Sequence, residues 1–246
     1  MSAPGWRADL AEGRALLRSH LLSDLDGVDA HRVERIADET LRAFRALGHV
    51  RRGVAVFGSA RDAPRAAWGG EAGEIGRRLA EAGFAVVTGG GPGLMEAANE
   101  GAVGAADAGT DFERSVGLTI DLPGEEPVNP HVELEVPFHY FFLRKLAFVK
   151  YTCAFVCLPG GYGTLDELFE ALNLVRTHRL HPFPVLLYGP DYWAGLADWL
   201  RDAAVEAGSL DAEDLDLFAI VDDPETVVRR VERCHRTLCR RLGIDG

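Results

Sequence analysis

Short apolar runs that alternate with amphipathic helix patterns constrain the fold of this chain more than any other feature of its sequence. The runs GVAVF, FAVVT and CAFVC contain almost no polar residue, and a pattern with apolar residues three and four positions apart follows each of them. Strands buried on both faces have this composition, and helices between such strands are typical of βαβ units. The sequence therefore predicts an α/β fold: a Rossmann-like doubly wound parallel sheet with helices on both faces.

The same patterns predict where the elements lie along the chain. Residues 1–50 read as an N-terminal helical extension, and residues 51–246 as the Rossmann-like domain. The remaining segment, 121–138, holds four prolines and is predicted as a loop with a short strand in VELEV. Strands are predicted within 53–60, 84–93, 114–120, 153–159, 183–189 and 217–223, and helices at about 65–82, 92–108, 140–151, 164–179, 192–208 and 224–242.

Composition excludes several classes of partner. With 38 acidic and 26 basic residues the formal charge is -12, which argues against a nucleic-acid groove. No apolar run approaches the roughly 20 residues of a membrane helix, and the first residues lack the pattern of a secretion signal. The four cysteines, Cys153, Cys157, Cys234 and Cys239, do not have the spacing of a zinc site. We therefore expect a cytoplasmic protein with no metal and no membrane contact.

Glycine-rich segments follow three of the predicted strands: Gly58-Ser59, Gly89-Gly90-Gly91 and Gly160-Gly161-Tyr162-Gly163. The carboxyl ends of parallel strands meet at one edge of a sheet, where ligands bind. Glycines allow close backbone approach, and a helix start offers unpaired N–H groups to an anion. The segment PGGYGT before the 164–179 helix fits a phosphate, with Thr164 as a further donor.

A purely structural interpretation of the same segment stands beside the phosphate site. Thr164 and Glu167 have the spacing of a capping box, in which Thr caps the helix and Glu reaches back to the cap. In that case the glycines form only a tight turn. The spacing alone leaves both interpretations open.

Other nucleotide and cofactor motifs are absent. No Gly-x-x-x-x-Gly-Lys-Ser/Thr occurs, and TGGGPGLMEAAN does not complete Gly-x-Gly-x-x-Gly. A pyridoxal enzyme needs a Schiff-base lysine, and the chain has only Lys145 and Lys150, in one helix without the usual surroundings. We expect no cofactor.

The helix pattern YFFLRKLAFVKY is the second functional signal. Between Phe141 and Val149 only Arg144 and Lys145 are polar. A helix this apolar is expected to be buried, and a buried guanidinium needs an anionic partner. One of the two cations should face a pocket or a carboxylate, while the other can reach solvent along its stem. The alternative is a surface helix with two solvated charges.

Three motifs in this order resemble those of a known family. PGGYGTLDE matches Pro-Gly-Gly-x-Gly-Thr-x-x-Glu, an Arg-Lys pair precedes it in a helix, and GGGPGLMEAAN precedes both. The chain resembles the LOG ("lonely guy") family, the cytokinin riboside 5′-monophosphate phosphoribohydrolases, over about residues 50–225. Its helical N-terminal part resembles the longer bacterial members. Phe141 stands where the pattern of the short members has Met, a departure that bears on the shape of the base pocket.

The resemblance implies hydrolysis of the N-glycosidic bond of a nucleoside 5′-monophosphate, a cytokinin riboside monophosphate or AMP. It implies that Glu167 is the catalytic carboxylate with Arg144 as its partner, that the family is dimeric or larger, and that no cofactor takes part. The implied substrate-binding residues hold the phosphate or line the ribose and base: Gly160, Gly161, Gly163, Thr164, Gly58, Ser59, Gly89, Gly90, Gly91, Met95 and Lys145.

Three rival functions stay open at the level of sequence. The first is a purine or pyrimidine nucleotide nucleosidase in salvage, since base preference rests on pocket shape. The second is a non-catalytic nucleotide sensor or carrier on the same fold, which has no need of a carboxylate beside the ribose. The third is a scaffold with capped glycine turns and no ligand.

Overall fold

The computed structural model describes residues 26–50, 52–105, 113–121, 127–179 and 183–239. Within these ranges, strands and helices alternate as the apolar pattern predicts. The strands are β1 (Gly53–Phe57), β2 (Ala85–Thr88), β3 (Ser115–Ile120), β4 (Leu134–Phe138), β5 (Thr152–Cys157), β6 (Val185–Tyr188) and β7 (Ala219–Val221). The helices are α1 (Gly27–Leu47), α2 (Asp62–Glu81), α3 (Leu94–Val103), α4 (Phe141–Tyr151), α5 (Tyr162–Arg176), α6 (Pro190–Trp199) and α7 (Pro224–Cys234).

The strands form one sheet in the order β4-β3-β2-β1-β5-β6-β7, and every adjacent pair is parallel. The chain builds outward from β1 to one edge, then returns and builds to the other edge. This is the doubly wound, Rossmann-like arrangement that the sequence predicts. The order reverses between β1 and β5, so the crevice outside their carboxyl ends is the expected place for a ligand.

Two apolar layers cover the two faces of the sheet. Along β1, Ala55 and Phe57 point into one layer and Val54 and Val56 into the other. Helices α1, α4, α5 and α6 contribute buried residues to the first layer, and α2, α3 and α7 to the second. Strands buried on both faces explain why their sequences carry no polar alternation.

Helix α1 packs into the first layer through Ala43 and Leu47, both of which are buried. Asp26 caps it by accepting hydrogen bonds from the backbone N–H groups of Val28 and Asp29, both at 2.9 Å. The predicted division of the chain at residue 50 stays a prediction, and residues 1–25 lie outside the described ranges. No helix among the described residues is long and apolar enough to cross a membrane.

Two element boundaries differ from the predicted ones in ways that matter for the site. β4 is a full five-residue strand paired along its length with β3, although this segment is rich in proline. Helix α5 begins at Tyr162, two residues before the predicted start. The predicted helix over 192–208 becomes π-helical at Leu200–Val205, and the last helix does so at His235–Cys239.

Candidate active site

A cavity of about 930 Å³ lies outside the carboxyl ends of β5, β1, β2, β3 and β4. Eleven of the thirteen predicted site residues line it. They are Gly58, Ser59, Gly89, Gly90, Gly91, Met95, Arg144, Gly161, Gly163, Thr164 and Glu167. The other two, Gly160 and Lys145, do not line this cavity.

Backbone hydrogen bonds join the three glycine segments into one floor. The Ser59 N–H donates to the Pro159 carbonyl at 3.0 Å, and the Leu94 N–H donates to the Ser59 carbonyl at 2.9 Å. A β-carbon on Gly58 would lie 2.8 Å from the Leu94 side chain, so glycine is needed for this close approach. The loops after β1, β2 and β5 are therefore held side by side.

The start of α5 excludes the capping-box interpretation. Gly161 is the N-cap, and no side chain caps the helix among the described residues. Thr164 is the third helical residue and Glu167 the sixth, so neither stands where a capping box requires it. The capping-box alternative is wrong because the glycines let the helix begin earlier than its first good cap residue. The first N–H groups of α5 thus lack a side-chain acceptor at the edge of the cavity.

The glycines at this helix start have two different roles. A β-carbon on Gly160 would lie 2.0 Å from Thr164 Oγ1, so Gly160 makes room for a buried threonine. Tyr192 Oη holds this residue from behind by donating to the Gly160 carbonyl at 2.8 Å. Added β-carbons on Gly161 and Gly163 would meet nothing within 4 Å. Those two glycines leave space that a ligand can fill.

Glu167 brings a buried carboxyl to the cavity from the second turn of α5. The residue is only 4% exposed. Burial raises the pKa of the Glu167 carboxyl to about 7, against the lowering effect of Lys145 and Arg144. Burial, and then the charge of Glu167, also raise the pKa of the neighbouring Cys157 thiol. A carboxyl whose pKa is near neutral pH can exchange a proton readily at working conditions.

Arg144 enters the same cavity from the first turn of α4. Its guanidinium carbon lies 5.3 Å from the centre of the Phe141 ring, and a β-carbon on Gly89 would lie 3.9 Å from its Nη1. Met95 closes the floor beside it, since a β-carbon on Gly89 would lie 3.1 Å from Met95 Sδ. Arg144 therefore lines the cavity beside the loop after β2, and its positive charge lowers the pKa of the Glu167 carboxyl.

Lys145 turns to the other side of α4. Its Nζ lies 2.8 Å from Asp166 Oδ2 and 2.6 Å from Glu170 Oε2, on the surface of α5. Burial opposes the charged form, but the pairing with the two carboxylates outweighs it and raises the pKa of Lys145. A Schiff-base lysine needs a neutral amine and a lowered pKa. The pairing therefore does not fit a pyridoxal site, and it directs this side chain away from the predicted substrate contact.

Sequence reasoning missed one wall of the cavity. Thr119 and Asp121 at the end of β3, and Glu135 and Pro137 on β4, line the side opposite α5. Thr119 Oγ1 donates to Glu135 Oε1 at 2.9 Å. The strand signal in VELEV could have indicated this wall, because a fourth parallel strand extends the carboxyl edge. Arg61, directly after the β1 loop, is a further missed residue.

A buried polar network supports the loop after β2. Asn99 Oδ1 accepts hydrogen bonds from Thr88 Oγ1 at 2.7 Å and from Asn129 Nδ2 at 3.1 Å. Its own Nδ2 donates to Ser115 Oγ at 2.8 Å. Asn129 Nδ2 also reaches the carbonyl of Gly90 at 3.1 Å, where φ is +73°. The network therefore fixes a left-handed turn that glycine adopts without strain.

The arrangement can hold an anion at one end and stabilise positive charge next to it. Uncapped helical N–H groups and open glycines suit a phosphate, and a carboxylate beside an arginine suits a developing cation. Among the residues that the structure describes, no group of three or more His, Cys, Asp or Glu side chains could hold a metal ion.

Comparison with known proteins gives consistent relatives. Residues 95–231 match the family described as "possible lysine decarboxylase". The chain is 32% identical over 103 residues to cytokinin riboside 5′-monophosphate phosphoribohydrolase LOG3 of Arabidopsis thaliana, covering 40% of this chain and 47% of that protein. It is 29% identical over 167 residues to pyrimidine/purine nucleotide 5′-monophosphate nucleosidase of Escherichia coli (strain K12), covering 65% of this chain and 36% of that protein. The chain thus spans about half the length of LOG3 and about a third of the nucleosidase.

A solved structure of another protein has a similar fold. The Moco carrier protein from Chlamydomonas reinhardtii superposes with a TM-score of 0.50 at 21% identity, covering 76% of this chain and 99% of that chain. That likeness concerns the fold alone. The family match, in contrast, covers more than half of the 246 residues, and so the chain belongs to the LOG family, which carries the description "possible lysine decarboxylase".

Proposed function

We propose that this protein hydrolyses the N-glycosidic bond of a nucleoside 5′-monophosphate to the free base and ribose 5-phosphate. One observation carries the proposal. The uncapped glycine start of α5 and the buried carboxyl of Glu167, six residues into the same helix, open into one cavity. An anion site and a charged catalytic group at this short, fixed separation suit a substrate with a phosphate close to its reacting bond.

The chemistry follows from the charge that develops on the sugar. As the bond from C1′ to the base nitrogen breaks, its electron pair leaves with the base and positive charge builds on the ribose. The Glu167 carboxylate stabilises that charge and accepts a proton from the attacking water. The oxygen of that water bonds to C1′. The departing base takes up one proton and Glu167 gives up the one it accepted, so the base leaves neutral and the carboxylate is regenerated. Arg144 keeps the carboxylate ionised and oriented.

The phosphate supplies binding energy that positions the reacting bond. Backbone N–H groups at the start of α5, with Thr164, hold it at a place that does not change during the reaction. The open space beside Gly161 and Gly163 supports this assignment. The remaining parts of the nucleotide lie over the loops after β1 and β2, which line the same cavity.

The relatives support this reaction over the alternatives. Both named relatives act on nucleoside 5′-monophosphates according to their names, so AMP, N6-substituted AMP and other nucleoside monophosphates form the substrate class. The salvage-type nucleosidase remains the second candidate because of the longer match to the Escherichia coli protein. The pairing of Lys145 with Asp166 and Glu170 gives no support to a lysine decarboxylase.

We further propose that the protein works in the cytoplasm as a homodimer or larger oligomer. Helices α4 and α5 expose four large apolar side chains, those of Phe142, Leu146, Tyr162 and Phe169. Exposed apolar surface of this kind is typical of a protein interface, and a second copy of the chain is the occupant that the family resemblance favours. Light scattering should show a dimer or larger, and Leu146→Asp should shift it to monomer. A monomeric wild-type protein would contradict the oligomer.

The proposed reaction has a direct test. The protein is incubated with AMP and, separately, with adenosine, and free adenine is measured by chromatography. We expect adenine and ribose 5-phosphate from AMP and at least roughly 10²-fold slower release from adenosine, since the phosphate anchors the bond. Equal turnover of AMP and adenosine would contradict the proposal that the phosphate positions the reacting bond.

A further inference from the structure

The wall opposite α5 carries acidic groups that the proposed reaction does not use. This far wall consists of Thr119 and Asp121, at the carboxyl end of β3, and Glu135, on the neighbouring edge strand β4. Glu135 Oε1 accepts a hydrogen bond from Thr119 Oγ1 at 2.9 Å. The Thr119 hydroxyl has a single hydrogen to donate, and it donates that hydrogen to Glu135. This hydrogen bond orients the carboxylate at the cavity surface.

The direction of the cavity assigns the far wall to the base. Residues of β6 and β7 do not line the cavity. It runs from the start of α5 past β1 and β2 to β3 and β4. If the phosphate binds at the start of α5 and the ribose lies beside Glu167, the remaining length of the cavity places the base against the far wall. This step rests on the proposed function.

The chemistry of the far wall then selects among bases. Carboxylates only accept hydrogen bonds, so they favour a base edge that presents N–H groups. A base without such a donor leaves the carboxylate without a partner when the cavity is filled, which lowers affinity. A bulky alkyl group on the donor nitrogen replaces an N–H group by apolar surface. That surface would then face the carboxylates of Asp121 and Glu135, which need hydrogen-bond donors.

We propose that the far wall selects nucleotides whose base carries an unsubstituted exocyclic amine, with Glu135 as the specificity-determining residue. Adenine with its free 6-amino group meets this requirement. Thr119 acts as a positioning residue, because it reaches the base only through Glu135. The apolar neighbours Ile120 and Val128, which also line the cavity, pack against the ring and leave the amine to the acids.

The test compares AMP with purine ribonucleoside 5′-monophosphate, which lacks the 6-amino group and adds no bulk. We measure kcat/KM for both in wild type, Glu135→Leu and Thr119→Val. Each substrate's intrinsic reactivity cancels when the wild-type ratio is divided by the variant ratio. We expect the preference for AMP to fall about tenfold in Glu135→Leu, the scale of one hydrogen bond to a charged group, and by less in Thr119→Val. Glu206→Leu, an exposed acid that does not line the cavity, should keep the wild-type ratio.

Binding to Glu167→Gln separates this inference from the proposed reaction. If wild type releases no base from any nucleotide, the proposed reaction is wrong. The far wall would still be supported as the base site if Glu167→Gln binds AMP about tenfold more tightly than purine ribonucleoside 5′-monophosphate and adding Glu135→Leu abolishes that difference in Kd. If both nucleotides are cleaved with a ratio that Glu135→Leu leaves unchanged within about twofold, the reaction stands and the inference is overturned. Equal binding of the two nucleotides, or no binding of either, would overturn it as well.

Discussion

Two neighbouring charge clusters at the contact of α4 and α5 are built from similar residues and face opposite ways. Arg144 and Glu167 face the cavity. Lys145, the next residue along, pairs with Asp166 and Glu170 on the outer side. Glu167 is 4% exposed, whereas the side chain of Asp166 is 59% exposed. Burial, more than residue type, separates the two clusters.

Helix geometry explains how adjacent residues reach different surroundings. Successive residues on a helix point about 100° apart, so the pair 144/145 and the pair 166/167 each divide across the helix contact. The inner cluster holds a carboxyl at a raised pKa, which costs stability and suits chemistry. The outer cluster joins two helices and helps to hold the inner one in place.

The largest expected effect is on the inner cluster. Arg144→Ala should lower turnover of AMP by roughly 10²-fold, the scale for losing one preorganised electrostatic group. Because Arg144 and Glu167 act on one step, the double variant with Glu167→Gln should be little worse than either single one. Steady-state kinetics of the three variants measure this, with Lys150→Ala as the control on the same helix. Fully additive losses would show that the two residues do not share a step.

The second effect concerns stability and its dependence on pH. The pKa of the Glu167 carboxyl is 4.5 when unperturbed and about 7 in the folded protein. The folded protein therefore binds this proton more tightly than the unfolded chain does, so its stability falls as pH rises from about 4.5 to 7. Glu167→Gln has no such charge, and its free energy of unfolding should exceed the wild-type value by roughly 2 to 3 kcal/mol at pH 8.

Urea unfolding at pH 8 and at pH 4 measures this difference. The gain of Glu167→Gln should disappear at pH 4, where the wild-type carboxyl is protonated in both states. A variant less stable than wild type at pH 8 would show that Glu167 is a stabilising structural acid. The cavity interpretation would then lose its support.

The third effect tests how the outer cluster acts on the inner one. Two positive charges, Lys145 and Arg144, lower the pKa of the Glu167 carboxyl, and Lys145 has the larger effect. Lys145→Met keeps the apolar stem and removes the charge. The pH at which kcat/KM rises with deprotonation of Glu167 should therefore move upward, and stability should fall by about 1 kcal/mol.

A pH–rate profile of wild type and Lys145→Met measures the shift. Lys150→Met, on the same helix and exposed, serves as the control and should keep the wild-type profile. At pH 9 the Lys145→Met protein should approach wild-type turnover. A loss at every pH would mean that Lys145 contacts the substrate directly.

The smallest effect belongs to Asp166. Asp166→Asn removes one of the two acids that pair with Lys145. Asp166 is the solvent-exposed partner, at 59%, and an ion pair with so exposed an acid is worth about 0 to 1 kcal/mol. Turnover of AMP should change by less than about fivefold, which corresponds to about 1 kcal/mol. Steady-state kinetics of this variant set an upper limit on how much the outer acids affect turnover. A loss of about 10²-fold would assign the catalytic role to Asp166 instead of Glu167.

The sequence predicts the fold because its signals are local. The apolar runs are continuous where strands are buried on both faces, and the glycine segments fall at strand ends, so one shared edge follows from βαβ geometry alone. The burial of Glu167 and the opposite orientation of Arg144 and Lys145 do not follow in this way. They depend on how α4 packs against α5, which spacing within one helix does not encode.

Two features escaped prediction for identifiable physical reasons. The start of α5 was ambiguous because Thr164 and Glu167 match a capping box, and only the conformation of Gly161 decides that the helix begins earlier. The far wall was missed because the prolines in 121–138 indicated a loop with only a short strand in VELEV. β4 tolerates Pro137 because it is the edge strand of the sheet.

The assignment of chemistry to Glu167 is tested most directly by the release of adenine and ribose 5-phosphate from AMP by matched variants. Wild type, Glu167→Gln and Glu170→Gln are compared, and AMP binding is measured for each. We predict that wild type and Glu170→Gln release adenine at rates within about fivefold, since an outer ion pair is worth no more than about 1 kcal/mol. Glu167→Gln should bind AMP and release adenine at least roughly 10²-fold more slowly. Near-normal release by Glu167→Gln would contradict the account.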